Sequence, residues 1–594
     1  MLERSKKRDQ TDLEFGGGKG RKKEMEDEEV KEMKRELIKL KKEKSKSNVE
    51  QERFKILKNR IEKVRKRIRK RKMKDKVLEL MACRGREEKR FWVKLKELGG
   101  WSKGGSKIPE TALDDKGIER GGKERLEVWK EAFRKLGTDD PNDPDFDRNW
   151  ARKIESDVRQ IEARNRKENE ETEGKRDDAD DVAEVCDEEG KSHRKELHEN
   201  ITQEEVSKAI DQLQNYRAPG QIGEILKTGG DKIREVVWML CCVVWRAEEV
   251  PNEWRQGIVV PLHKDGDERD PMNYRGITLL SIVGKVFTRV LSNRLMKFAE
   301  RKTFGIVEEQ GGFRPERGTE DQIFILTEVL RARAEHTTYT AFIDVKKAYD
   351  TVWRDGLWMR LWDEGVRGKM WRVIREMYRT VQSSVLVDGE QTEMFELNMG
   401  VRQGCVMSPV LFSFFINGLA KEIKEKTAGV CVGNVQVRLL MYADDIVLMS
   451  DRKRDLQKML DIVTSYSKKW RFRLNPKKGK SEVMIFGRKP RKTKEGRKWT
   501  LAGEEIQECY KYLGVELVGR LDFKKLKERY VAEARKRMML VWAMGMRGGV
   551  PAIDCCMLWN ALVRPVLEYG AVIWGDVKWE EAERVQREMG EMIL

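Results

Sequence analysis

Asp444 and Asp445 stand side by side between two apolar runs, Leu440-Met441-Tyr442-Ala443 and Ile446-Val447-Leu448. Both runs have strand composition, and the polar step between them has hairpin length. The pair is therefore expected at a strand–turn–strand tip. Neighbouring side chains on a strand alternate faces, so one carboxylate can face a cleft while the other braces it or shares a metal. Two like charges held close together out of water are costly unless a cation neutralises them. Hard divalent cations with oxygen ligands are the natural partners. Asp is also common in plain polar turns, and the pair alone fits that simpler reading. A third carboxylate reverses the preference. Asp344 ends the apolar run Thr340-Ala341-Phe342-Ile343, about a hundred residues upstream. If the two strands are neighbours, the set suffices for two divalent ions roughly 3.5–4 Å apart, clamping the attacking and leaving oxygens of a phosphoryl transfer.

Other elements must hold these strands. Thr202-Gln203-Glu204-Glu205 has the form of a capping box opening a helix over Val206–Leu213. Val259–Lys264 reads as a strand ending in a basic loop, and Tyr274–Ile277 leads into an apolar helix, Ile282–Leu295. Gly400–Cys405 is a loop before the helical run Pro409–Ile423. A helix over Arg454–Trp470, a strand over Ser481–Phe486 and a tight turn at Tyr510–Gly514 follow. Upstream, Phe54–Ile68 repeats apolar residues near helical spacing. The basic runs Arg65–Arg67 and Arg69–Lys72 suit nucleic-acid binding or nuclear import, and equally a solvated helix face. Glu168–Asp181 is almost wholly polar and reads as a linker, so the folded main body is expected to begin near Ile201.

The chain has 594 residues, 38% of them charged, and a formal net charge of +19. Its length allows several domains, and its charge suits a polyanion partner. The 9 cysteines form no C-x-x-C pair, which excludes a zinc site or disulfide framework and suits an intracellular protein. Apolar runs such as Val236–Trp245 are too short to span a bilayer, so no membrane partner is expected.

Tyr442-Ala443-Asp444-Asp445 resembles the Y-x-D-D box of reverse transcriptases, and Phe342–Asp350 resembles their first palm motif. Asn273–Leu280, Gln310–Arg314 with Arg317–Thr319, Gly400–Cys405 with Ser408-Pro409, and Tyr512–Gly514 match further motifs in the family's order. The set, from about residue 200 onward, is most similar to the non-LTR, long-interspersed-element class of retrotransposon. The resemblance implies that Asp344, Asp444 and Asp445 hold two Mg2+ ions, with Mn2+ as a substitute. It places Tyr349 under the nucleotide sugar, where a core tyrosine is the competing role. It puts Gln403 near the nucleotide or template, and Lys264 and Arg275 at the triphosphate. Lys480 becomes a proton donor to pyrophosphate, with Lys478 competing for that part.

The fold implied is α+β, a right-hand polymerase. Residues 1–200 would be a charged extension and linker, 201–335 fingers, 336–518 a palm with a small antiparallel sheet, and 519–594 a helical thumb-like region. The implied activity is RNA-directed DNA synthesis. Its partners would be an RNA template, a DNA primer or target, dNTPs and a separate endonuclease, in a nuclear and cytoplasmic ribonucleoprotein. Viral-type RNA-dependent RNA polymerases share the palm and double Asp, but lack a bulky ring at the sugar-sensing position. An RNA-binding scaffold on a decayed palm would tend to lose its carboxylates, and all three remain. Two departures from the family stand out: Gly276 follows Arg275 where many members have Pro, and Ala218–Gly223 is a shortened A-P-G-x-D-G-I segment. No apurinic-type endonuclease or zinc knuckle is recognisable, so the chain reads as part of an element protein.

Overall fold

The computed structural model describes residues 108–173, 196–213, 222–301, 305–487 and 499–593 apart from 478, 507–509, 514, 518–520, 522, 549 and 576–577, together with part of 56–79. The basic runs at 65–72, Ala218–Gln221, Lys478 and Gly514 lie outside the described residues. The chain divides into two compact units. One comprises residues 106–526 with 570–577; the other comprises 527–569 and 578–594 with residues 1–105. The whole is a mixed α+β fold.

Strands are numbered in chain order: β1 (Thr111–Leu113), β2 (Glu119–Gly121), β3 (Gln256–His263), β4 (Tyr274–Leu279), β5 (Thr338–Ile343), β6 (Val381–Val387), β7 (Glu390–Gln391), β8 (Phe395–Leu397), β9 (Val430–Val432), β10 (Val435–Val437), β11 (Leu439–Tyr442), β12 (Asp445–Ser450) and β13 (Glu482–Phe486). The larger unit is organised on a four-stranded sheet, β11-β12-β5-β13, antiparallel throughout. Residues Ile446 to Ser450 of β12 and all of β13 are buried, which is why these strands read as continuous apolar runs rather than alternating ones. Helix Lys453–Lys469 packs on the sheet through Leu456, Met459, Leu460 and Val463. That spacing is one helical stripe, with the charged residues left outside. Helix Ser408–Lys426 is apolar nearly all round and lies inside the same core. A second sheet runs β4-β3-β6-β7, with β8 also on β6.

Most sequence expectations agree with the described elements to within a few residues. The capping box is formed at Thr202 and Glu205, opening helix Gln203–Asp211. Two expectations are corrected. The body of the larger unit begins near Ile108, not Ile201. Helix Gly122–Leu136 buries Trp129 completely against Tyr274, Val385 and Val387, with the Trp129 and Tyr274 rings edge to face at 4.8 Å. Burying such a side chain is worth roughly 3 kcal/mol. The stripe Leu126, Trp129, Phe133 sits among many charges, and overall polarity hides it. The polar stretch after Glu168 is also not all linker, because helix Arg148–Glu173 runs into it. Its buried face is upstream, at Ala151, Ile154 and Val158.

The smaller unit has its own helical core. Val531, Ala534, Met538, Val541 and Met544 of helix Lys524–Gly548 pack with Cys555, Leu558, Val563, Val585 and Met589. Among the described residues, no helix is long and apolar enough to cross a membrane.

Candidate active site

The register of the central sheet brings the three carboxylates to one end. Ile446 pairs with Ile343, so Asp344 leaves β5 beside the turn that joins β11 to β12. Asp344 is fixed from its other side: its N–H donates to Ser481 Oγ (3.1 Å), and its Oδ2 accepts from Asn475 Nδ2 (2.8 Å). Tyr442 pairs with Asp445, leaving Ala443 and Asp444 as a two-residue connection. So short a link puts Ala443 in the left-handed region, at φ 55°. For a residue with a Cβ that conformation costs about 1–2 kcal/mol.

The cost is offset by a contact from 133 residues away in the chain. Gln310, 1% exposed, accepts the Ala443 N–H on Oε1 (2.8 Å) and donates from Nε2 to the Ala443 carbonyl (3.2 Å). The backbones continue the contact: Gly311 N–H donates to Met441 O, and Met441 N–H to Glu309 O, both at 2.8 Å. Gly312 is required here, because a Cβ on it would lie 2.3 Å from Ala443 N. The sequence expectation included this segment but gave Gln310 no part.

Electrostatically the site is a carboxylate cluster looking for a cation. Burial pushes the Asp444 carboxyl up, and nearby Asp344 adds to it. Asp445 is pushed up to about 7, by burial first and then by the Asp444 and Asp344 charges. Lys264 and Lys480 oppose the shift at Asp445, and Arg275 and Lys264 oppose it at Asp444. Lys264 and Arg275 are exposed, and neither forms an ion pair among the described residues. Six of the groups singled out from sequence, three carboxylates and three cations, thus feel one another at this end of the sheet. The donor chemistry, hard oxygens whose charges repel, fits a divalent ion. Among the described residues no group of three or more His, Cys, Asp or Glu side chains is drawn together as a finished metal cluster. The three carboxylates are near enough to repel one another.

Tyr349 stacks on Phe412 (ring centroids 5.1 Å, 18° between planes) and meets Phe313 edge on at 6.3 Å. Its hydroxyl is buried with no hydrogen-bond partner. Burial, with the Asp444 charge second, raises its pKa above the usual phenol range. One face of the ring therefore belongs to the core, and its surroundings include the carboxylate site. Gln403 is tied down: its Nε2 donates to both carboxylate oxygens of Asp350 (2.9 and 2.8 Å). Burial pushes Asp350 up to about 6. Lys347, beside it, donates to the Tyr274 carbonyl (2.8 Å), and burial lowers its pKa. The loop before Gln403 is held by Arg354, whose guanidinium donates to the carbonyls of Tyr378, Leu397, Met399 and Gly400. Asp350, Lys347 and Arg354 had no assigned part in the sequence reading; Asp350 and Lys347 lie inside the first motif, and their long-range partners carry no local signal.

A larger cavity, about 720 Å3, lies between the 113–146 segment and residues including Lys346, Lys347 and Arg471. None of the three carboxylates lines it.

Residues 262–517 match the family model described as "Reverse transcriptase (RNA-dependent DNA polymerase)". The RNA-directed DNA polymerase from mobile element jockey of Drosophila melanogaster is 26% identical over 391 residues, covering 63% of this chain and 41% of that protein. A retrovirus-related Pol polyprotein from type-1 retrotransposable element R2 of Popillia japonica is 28% identical over 240 residues, covering 39% and 32%. This chain thus spans about two fifths of the jockey protein's length and a third of the R2 protein's. Apo telomerase from Candida tropicalis, truncated from its C-terminal domain, overlaps 46% of this chain and 56% of that one at 14% identity and a TM-score of 0.31, too slight to bear on the fold. Residues 262–517 carry a reverse transcriptase domain, related to the reverse transcriptases of non-LTR retrotransposons.

Proposed function

We propose that this chain is an RNA-directed DNA polymerase of the non-LTR retrotransposon type, extending a DNA primer on an RNA template. The observation that carries the reading is the β5–β12 register, which sets Asp344 beside the Asp444-Asp445 turn. In this reading residues 201–335 act as fingers, 336–518 as palm and 519–594 as thumb of a right-hand polymerase.

Asp344, Asp444 and Asp445 would hold two divalent ions. When bound, the ions supply Lewis acidity at the primer hydroxyl and the nucleotide phosphates. The protein's own residues do the rest. Lys264 and Arg275, exposed and without ion pairs among the described residues, bind the triphosphate of the incoming nucleotide and stabilise charge that develops on it. Lys480, whose charge acts on Asp445, returns a proton to the leaving pyrophosphate in this reading. Gln403 has its amide nitrogen spent on Asp350, so it meets the nucleotide or template through its carbonyl oxygen. Tyr349, backed by Phe412, limits room at the sugar's 2′ position.

The test is primer extension by purified protein on poly-rA/oligo-dT with Mg2+, supplied with dTTP or UTP. Incorporation of dTTP well above UTP supports the reading. Preference for UTP would transfer the site to an RNA polymerase, and no incorporation of either would refute polymerase function.

A further inference from the structure

We propose that Gln310 is a positioning residue: its side-chain amide fixes the left-handed backbone of Ala443 and so sets the direction in which Asp444 is presented. The inference rests on the polymerase reading for its consequence, but the geometry is independent of it.

Gln310 is 1% exposed, so it does not touch substrate. Its amide orientation is unambiguous, because Oε1 receives two N–H groups, from Ala443 and Gly312, each at 2.8 Å. Only an oxygen can accept both. The Nε2 then donates to the Ala443 carbonyl. One side chain thereby holds the peptide on each side of Ala443. The second of those peptides ends in the Asp444 nitrogen, so turning it would swing the Asp444 side chain. Gln310 is itself anchored. Its carbonyl accepts from Arg314 Nη1 (3.1 Å), and Arg314 is clamped by Glu300 through two bonds of 2.8 and 2.7 Å. A line from exposed Glu300 through buried Arg314 and Gln310 thus ends on the turn. A purely space-filling glutamine would not need to match donor and acceptor of the same strained residue.

Two variants separate hydrogen bonding from packing. Gln310→Met keeps the volume and loses the bonds. Gln310→Glu keeps the acceptor for both N–H groups and loses the donor. Each is followed by kcat and KM in primer extension, by Tm, and by terbium luminescence as a readout of metal binding without turnover. The expected result for Gln310→Met is a kcat at least tenfold lower, a KM for primer–template within twofold, and terbium affinity weakened several-fold. Gln310→Glu should recover part of both losses. If Gln310→Met does not fold, Gln310→Glu alone decides, by a terbium affinity below wild type or equal to it. Wild-type kcat and terbium affinity in Gln310→Met, or a Gln310→Glu no better than Gln310→Met, would overturn the proposal. A wild-type protein that binds terbium but extends no primer would refute the polymerase reading and leave the Gln310 comparison intact.

Discussion

A single methyl group at Gly312 should disable the site while leaving the fold standing. A Cβ there would lie 2.3 Å from Ala443 N, 2.9 Å from its Cα and 3.0 Å from Gln310 Oε1. Ordinary carbon contacts sit near 3.5 Å, so one of the two segments must retreat by about 1 Å. The nearest atoms are backbone of the Asp444 turn, which cannot swing aside as a flexible side chain would. A displacement of about 1 Å in a reacting geometry costs on the order of a hundredfold in rate. Overpacking of this kind costs about 1–3 kcal/mol of stability, which a folded unit of this size can bear. The assay is single-turnover primer extension alongside urea denaturation of the same preparation. Gly223→Ala, where a Cβ meets nothing within 4 Å, is the control. A Gly312→Ala rate within about threefold of wild type would refute the claim that the glycine run sets the position of the carboxylate turn.

Tyr349→Val should raise ribonucleotide incorporation relative to deoxyribonucleotide, read as the ratio of kcat/KM for the two sugars; an unchanged ratio in a stable, active variant would leave Tyr349 only its packing on Phe412. Arg354→Met should cost about 3–4 kcal/mol in urea denaturation, since four carbonyls, three of them in buried bonds, lose their donor; a loss under about 1 kcal/mol would contradict that reading of the loop. Asp445, pushed up to about 7, holds its proton in the folded state where the unfolded chain has lost it. The metal-free protein should therefore lose stability as pH rises from about 4 to 7, more steeply than Asp445→Asn does, and Mg2+ should restore it at the upper end. Equal slopes for the two proteins would show that Asp445 is not the group responsible.

The hairpin carrying Asp444 and Asp445 was legible because both of its strands are short apolar runs with one polar step between them. Asp344 was legible for the same reason, as the polar end of such a run. Helices expected from Val206, Ile282, Pro409 and Arg454 begin at 203, 282, 408 and 453, because caps and periodicity are local signals. What stayed hidden was carried by contacts between distant segments. Gln310 reaches Ala443 across 133 residues, and nothing local marks it. Gln403 and Asp350 are 53 residues apart. The 108–165 segment carries little sequence signal because its apolar stripe is thin and its exterior heavily charged. Its position also explains a departure seen in the sequence. A Cβ at Gly276 would strike Phe133 at 2.6 Å and Val259 at 2.7 Å, so the upstream helix occupies the room a larger residue would need.

The central claim, that the carboxylates at the end of the β5–β12 pair carry the chemistry, is tested most directly by Asp444→Asn. The substitution keeps the shape of the turn and removes one negative charge. Primer extension on poly-rA/oligo-dT with Mg2+ should fall below detection, while circular dichroism and Tm stay at or above wild type because a repulsive, half-buried charge has gone. Extension at the wild-type rate by a natively folded Asp444→Asn protein would contradict the account.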